Sequence, residues 1–399
     1  MRYWGSAADM QAIASPETVL KRIGIGAMVL VPLLIACRVG YDSFVDRAIH
    51  FNIISGMGMW GTFVVHMATR PGRKEIGATL ALGLGVRLLY AGATGWIAAG
   101  TYLGLASVMV LLFQAIQVNT ARRALILRTL GVIAAFNYLG FCAIFLLSFT
   151  KLALPHKLDY FLYAFDGSLG FEPSFVAGKL VRAVPALDWL TAMVYNGLGL
   201  WFCIVYAAHT RAHGKYRINI LVLLIADVFV GVALYFVFPA AGPRYAFPAF
   251  PNLPPAVRAG AVRFEGIPNA MPSLHMAGTL MVFWLSRPWP RLRIFTGGIC
   301  AVTALATMSM GEHYLVDLVV AVPYSLAIFA LAANTPDRRF PLAVGAGMVL
   351  VWLAVLRYGN LHAAVSWGLV IVTLAICWKV QRRFAGRVWD LAEAGGEPA

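Results

Sequence analysis

Residues 217–239 read RINILVLLIADVFVGVALYFVFP: a basic residue, then an apolar run broken by one acid, Asp227. About 20 apolar residues in a helix cross the hydrocarbon core of a bilayer. Because lipid offers no partner to a backbone N–H or C=O, a helix that satisfies its own groups is the conformation such a run adopts there. Working outward, comparable runs lie near 186–209, 128–150, 94–117, 76–91, 51–68 and 22–39 toward the N-terminus. Toward the C-terminus they lie near 272–287, 292–310, 313–334, 340–356 and 361–379. The expectation is an all-α, polytopic transmembrane bundle of about twelve spans. Composition agrees: 60% of the 399 residues are hydrophobic and 12% charged, against roughly half and a quarter in soluble domains.

The net charge of +15 does not point to nucleic acid, because the basic residues form short clusters between apolar runs without interleaved stacking aromatics. They mark topology instead. With the N-terminus cytoplasmic, 21 of the 32 Lys and Arg residues face inward, among them Arg70, Arg73, Lys74, Arg122, Arg123, Arg211, Arg287, Arg338, Arg339 and Arg382. That asymmetry is the positive-inside pattern, and it places both termini in the cytoplasm. The abundance of Ala and Arg suggests a bacterial inner membrane. The residues before the first run carry no cleavage-site pattern, so the first helix is expected to stay as an anchor. The five cysteines stand singly in or beside apolar runs and read as packing residues.

The chain divides into N-terminal helices of unknown role (1–150), an outer interfacial segment (151–185), a core (186–335), and C-terminal helices with a cytoplasmic tail (336–399). In the outer segment, KLDYFLYAFDGSLGFEPS (157–174) mixes aromatics and acids at helical spacing. It reads as an amphipathic helix at headgroup depth, serving as an anchor or as a lid over a lipid site. The second outer loop, AAGPRYAFPAFPNLPPAVRAGAVRFEGIPNA (240–270), is too rich in Pro and Gly for regular helix. It puts Arg244, Arg258 and Arg263 on the face where positive charge is otherwise scarce, which suits anion binding.

Two histidines share that outer face, His275 in MPSLHMAG (271–278) and His313 in GEHYLVD (311–317). The HxxxD spacing sets His313 and Asp317 one helical turn apart, where the carboxylate can orient the imidazole and leave its other nitrogen as a nucleophile toward phosphorus. His275 is then placed to act as acid and base. Ionisable groups in membrane segments are costly and mark function by default, which singles out this cluster and also Asp227 and Arg87.

The order GPR (242–244), PSLH (272–275) and HYLVD (313–317) resembles the three signature regions of the type 2 phosphatidic acid phosphatase superfamily, whose fold has a six-helix core. The resemblance implies that His313 attacks the phosphodiester, that His275 is the acid and base, and that Asp317 orients the nucleophile, with no metal or other cofactor. Arg244 is the chosen phosphate ligand, with Ser273, Arg258 and Arg263 as further candidates. The chain departs from the phosphatases at Leu274, where they carry glycine, and at Ala306 and Thr307, where they carry a serine-arginine pair. PSLH and HYLVD, with YAFDGSLG (163–170), are similar to the branch containing inositol phosphorylceramide synthase, and HYLVD also to the sphingomyelin synthases. The implied activity is transfer of a phosphoryl or phospho-alcohol headgroup from a phospholipid donor to a lipid hydroxyl, as in sphingolipid metabolism. The alternatives are a lipid phosphate phosphatase and, from a different class, a lipid transporter.

Overall fold

The computed structural model describes residues 52–89, 95–118, 120–212, 218–254, 257–359 and 361–393. Among these are fifteen α-helices and one two-stranded ribbon. Four helices come first: α1 (Asn52–Ala68), α2 (Arg73–Leu89), α3 (Trp96–Gln117) and α4 (Thr120–Ala153). Strand β1 (His156–Lys157) leads into two short helices, α5 (Asp159–Ser168) and α6 (Pro173–Arg182). Then follow α7 (Pro185–Asn196), α8 (Leu198–Arg211), α9 (Ile220–Val237), the single turn α10 (Pro243–Ala246) and β2 (Val262–Arg263). The chain continues through α11 (Leu274–Leu285), α12 (Pro290–Ser309), α13 (Leu315–Ala332), α14 (Arg339–Tyr358) and α15 (Ala363–Glu393).

Local sequence sets many of these boundaries. Pro173, Pro185 and Pro290 each open a helix, where a missing N–H costs nothing. The Asn219 side chain accepts from the Leu221 and Val222 N–H groups at the start of α9, and the Ser273 hydroxyl accepts from Met276 at the start of α11.

Among the described residues, seven helices are long and apolar enough to cross a membrane: α3, α4, α9, α12, α13, α14 and α15. The bent pair α7–α8, which turns by 60°, makes an eighth if it counts as one span. The expectation of about twelve is thus not confirmed among the described residues. The expected spans at 51–68, 76–91 and 272–287 do form helices, but α1 and α2 have 17 residues each and α11 has 12. At about 1.5 Å per residue, a 12-residue helix covers roughly 18 Å, too little to cross alone. The expected first span, 22–39, lies outside the described residues.

Helix α13 is the axis of the bundle. Its apolar window is 83% buried, against 22–44% for the other candidate spans, and α5, α9, α11, α14 and α15 pack around it. Tyr324, Leu326 and Phe329 of α13 join Met281 and Leu285 of α11, Leu223 of α9 and Trp352 of α14 in one buried cluster. Helices α1–α4 lean on this unit, α1 against α8 and α4 against α9, with a smaller core around Leu111, Ile126 and Ile133 that Cys203 of α8 also joins. Many large apolar side chains point outward, such as Ile116 of α3, Leu350 of α14 and Ile371 of α15, as helices bathed in lipid require.

Candidate active site

The three motif segments meet at the N-terminal ends of α11 and α13. The Arg244 N–H donates to the Gly311 carbonyl at 3.0 Å, Ala270 N–H to Ala240 at 2.8 Å, and Ser273 N–H to Asp317 at 3.3 Å. Gly242 makes the first of these contacts possible. Its φ is +100°, and a Cβ there would lie 2.2 Å from the Glu312 carbonyl oxygen, so only glycine lets the 240–244 loop lie against the turn before His313.

His313 is almost fully buried, with 1% exposure. Its Nδ1 lies 3.0 Å from the Ala270 carbonyl oxygen, and since a carbonyl can only accept, Nδ1 carries the proton and Nε2 keeps its lone pair. Burial pulls the imidazole down to about 4, against the opposing influences of Glu312 and the Ala270 hydrogen bond. The ring is thus neutral at physiological pH. Asp317 is nearby but not the direct partner that the HxxxD spacing suggests. Its Oδ2 is 3.6 Å from His313 Nδ1, beyond hydrogen-bond length, and instead accepts from the Tyr314 N–H at 2.8 Å. Its Oδ1, also buried, has no hydrogen-bond partner.

His275 sits in the first turn of α11, stacked on Tyr195 of α7 with ring centroids 3.8 Å apart and planes within 12°; burial pulls its imidazole down to about 3, and the charge on His313 acts in the same direction. The preceding Leu274 fills the space beside Gly231 of α9, where a Cβ would come within 2.4 Å of the leucine side chain. The leucine at 274 is therefore matched by a glycine on the facing helix. Ser273 is fully buried and spends its hydroxyl as the α11 cap.

Arg244 reaches the Glu312 carboxylate, Nη1 to Oε1 at 2.8 Å, and lies over the Tyr245 ring. The Tyr245 hydroxyl donates to the same carboxylate at 3.3 Å. Beside them opens a pocket of about 350 Å³ lined by Arg182, Asp188, Arg244, Phe250, Ser309 and Met310. Arg258 and Arg263 do not join it. Both are exposed, and Arg263 stands on the ribbon with His156, in the β2–β1 pair. Ala306 and Thr307 are fully buried, and the Thr307 carbonyl accepts the N–H groups of both Glu312 and His313.

Sequence reasoning missed the groups that hold this arrangement from α5 and α6. The Asp159 carboxylate accepts from the Ala241 N–H at 3.0 Å, Gly242 N–H at 2.7 Å and the Tyr314 hydroxyl at 3.2 Å. Asp166 accepts from the Leu315 and Val316 N–H groups at 2.7 and 3.1 Å, capping α13 from another helix. The Ser174 hydroxyl donates to the His313 carbonyl at 2.8 Å. Burial pushes Asp159 up to about 7, with the Ala241 and Gly242 N–H groups pulling the other way. It raises Asp166 well above the usual carboxylate range, against the Leu315 N–H. The 157–174 segment is thus a brace under two motif loops. The available signal was the seven-residue interval between the two aspartates, which puts both on one helix face.

Asp227 is buried inside α9 with one carboxylate oxygen unpartnered, while its backbone carbonyl accepts from the Tyr324 hydroxyl at 2.6 Å. Among the described residues, no group of three or more His, Cys, Asp or Glu is placed to hold a metal ion.

Residues 160–331 match the PAP2 superfamily. The matched stretch runs from α5 to the end of α13, and so covers all three motif segments and most of the bracing helices. It comprises less than half of the chain. The superfamily contains lipid phosphatases and phosphotransferases, which supports an enzyme of that general kind. No curated protein and no solved structure matches the chain.

Proposed function

We propose that the protein is a membrane lipid phosphotransferase, similar to inositol phosphorylceramide synthase, that moves a phosphoryl or phospho-alcohol headgroup at the extracytoplasmic face through a phosphohistidine on His313. The observation that carries this reading is the state of His313: buried, neutral, with Nδ1–H fixed on the Ala270 carbonyl so that Nε2 is free. In the first step Nε2 attacks phosphorus, a P–N bond forms, and the P–O bond to the donor's lipid alcohol breaks. His275 gives that departing oxygen a proton, which the ring, held neutral by burial in the free protein, takes up as the anionic phosphate binds beside it. In the second step a lipid hydroxyl of the acceptor loses its proton to His275 and attacks phosphorus, and the P–N bond breaks. Arg244, with Arg182 across the same pocket, stabilises the charge on the non-bridging oxygens. Tyr195 keeps the His275 ring in place by stacking, and Asp317 acts through the Tyr314 backbone to fix the start of α13.

Ala306 and Thr307 favour transfer over simple hydrolysis, because they bring no cation to the place where the phosphatases carry arginine. The core 186–335 supplies the chemistry, α5 and α6 support it, and both termini lie in the cytoplasm, a placement that the distribution of basic residues supports. The test is to incubate the purified protein with labelled phospholipid, quench in alkali and look for acid-labile label on the protein. Wild type is expected to carry it and His313→Ala to carry none. Full transfer by His313→Ala sinks the reading. Release of free phosphate, with none passed to an added lipid alcohol, makes the enzyme a phosphatase instead.

A further inference from the structure

The reaction proposed above leaves Glu312 without a part, although it stands immediately before His313 and its side chain is only 9% exposed. An acid beside a phosphate-binding arginine is an unfavourable neighbour for an anionic substrate. Here it does more than stand near: its carboxylate occupies Arg244 at 2.8 Å and accepts from the Tyr245 hydroxyl as well. A phosphate that takes the same guanidinium must displace or share it.

The charges around the pocket sharpen the point. Arg182 and Arg244 face it, and so does Asp188, and with Glu312 the set holds two guanidinium groups against two carboxylates. The other outer-loop arginines do not line it: Arg258 is exposed on irregular backbone and Arg263 is exposed on β2. A set with no net charge accepts a phosphodiester, which carries one negative charge, far more readily than a phosphomonoester, which carries close to two at neutral pH.

We infer that Glu312 is a specificity-determining residue: by holding Arg244 it admits monoanionic phosphodiesters and turns away dianionic phosphomonoesters and inorganic phosphate. The inference rests on the transferase reading and narrows it, since a donor phospholipid is a diester while the substrate of a lipid phosphate phosphatase is a monoester.

The experiment is binding without turnover. Full-length protein in detergent is titrated calorimetrically at pH 8 with inorganic phosphate and, separately, with dimethyl phosphate. Wild type is expected to take dimethyl phosphate at least as tightly as inorganic phosphate. Glu312→Gln keeps the shape and the hydrogen bonds but removes the competing charge, so inorganic phosphate should bind about tenfold tighter, with dimethyl phosphate changing by less than about threefold. Glu312→Ala should shift in the same direction. Equal changes for the two anions, or no binding of phosphate by either variant, overturn the inference. So does loss of the folded state by both variants, seen as collapse of their thermal unfolding transitions, because it makes Glu312 a structural residue. No step of this assay needs His313 to react, so a failure here leaves the phosphohistidine test standing, and a failure there leaves this one standing.

Discussion

Helices α1–α4 and the bundle around α13 use the same apolar residues but bury very different polar ones. In the first region the buried polar side chains are mainly Thr and Ser, and Thr62, Thr79, Thr129 and Thr150 return their hydroxyls to carbonyls three or four residues back in their own helix. Links between its helices are few, such as Asn137 to Thr62 and Trp60 to the Trp96 carbonyl. Around α13 the buried set includes Asp159, Asp166, Glu312, His313 and Asp317, and the partners of Asp159 and Asp166 lie 82 to 155 residues away. Lipid-facing helices can associate through packing of small and apolar surfaces alone. Burying acids is costly, and doing so repeatedly at one end of one bundle is what a site with fixed loop geometry demands.

The contrast breaks most sharply at the nucleophile. His313→Ala is expected to lower transfer by at least about 10³-fold, the scale on which loss of a covalent nucleophile is felt, measured as headgroup transfer per mole of folded protein. Next in size is the brace. Asp166→Ala leaves the Leu315 and Val316 N–H groups without their partner, which costs about 1–3 kcal/mol of local stability and lets His313 drift. A misplacement of about 1 Å costs on the order of 10²-fold in rate, so kcat should fall by about that factor while KM changes little. The matching deletion in the other region, Asn137→Ala, removes its bond to Thr62 and should leave kcat/KM within about twofold. If both variants lose activity alike, the two regions are not separable as described.

Much of this division is written in the sequence, and some is not. Apolar runs over 96–117, 220–237 and 315–332 are long enough to declare themselves, and the helices stand where expected. The span count is not confirmed where length is marginal, at the 17 residues of α1 and α2 and the 12 of α11. His275, His313, Asp317 and Arg244 were legible because each lies in a short local pattern. Asp159, Asp166 and Ser174 were not, because each bonds to backbone groups that every residue possesses, so the partner leaves no mark on the sequence. Arg182 and Tyr195 reach the site only through the packing of α6 and α7. The HxxxD spacing also misled in one respect: it placed Asp317 on the correct face, but the nearer acceptor for His313 is the Ala270 carbonyl, 43 residues away.

A third test concerns the acid side of the pH profile. An ordinary exposed histidine nucleophile would be lost by protonation near pH 6.5. Burial has moved His313 to about 4, so the limb of kcat/KM that belongs to it should lie near pH 4. Opening the burial with Ser174→Gly, which removes the bond to the His313 carbonyl, should move that limb upward by a fraction of a unit. A limb that stays near 6.5 in wild type means that the ring is solvated in the working enzyme.

The smallest effect is on stability, and it separates the brace from helices α1–α4 by the presence or absence of a pH slope. Asp159 titrates at about 7 in the folded protein against 3.8 ordinarily. Between those values the folded chain holds a proton that the unfolded chain has released, so this group's contribution to stability falls as pH rises from about 4 to about 7 and is level above that. The amide introduced by Asp159→Asn cannot ionise, so other groups largely cancel when that variant is compared with wild type at each pH. The melting temperature of the variant, relative to wild type, should therefore climb by about a few degrees from pH 5 to pH 8. The same comparison for Asn137→Ala should be flat, since Asn137 and its partner Thr62 do not titrate. A difference for Asp159→Asn that is flat or declines with pH would mean that the N–H groups of Ala241 and Gly242 outweigh burial. Asp159 would then be a fully charged clamp on the Arg244 loop, and breaking that clamp by acid would become the first step in loss of the site.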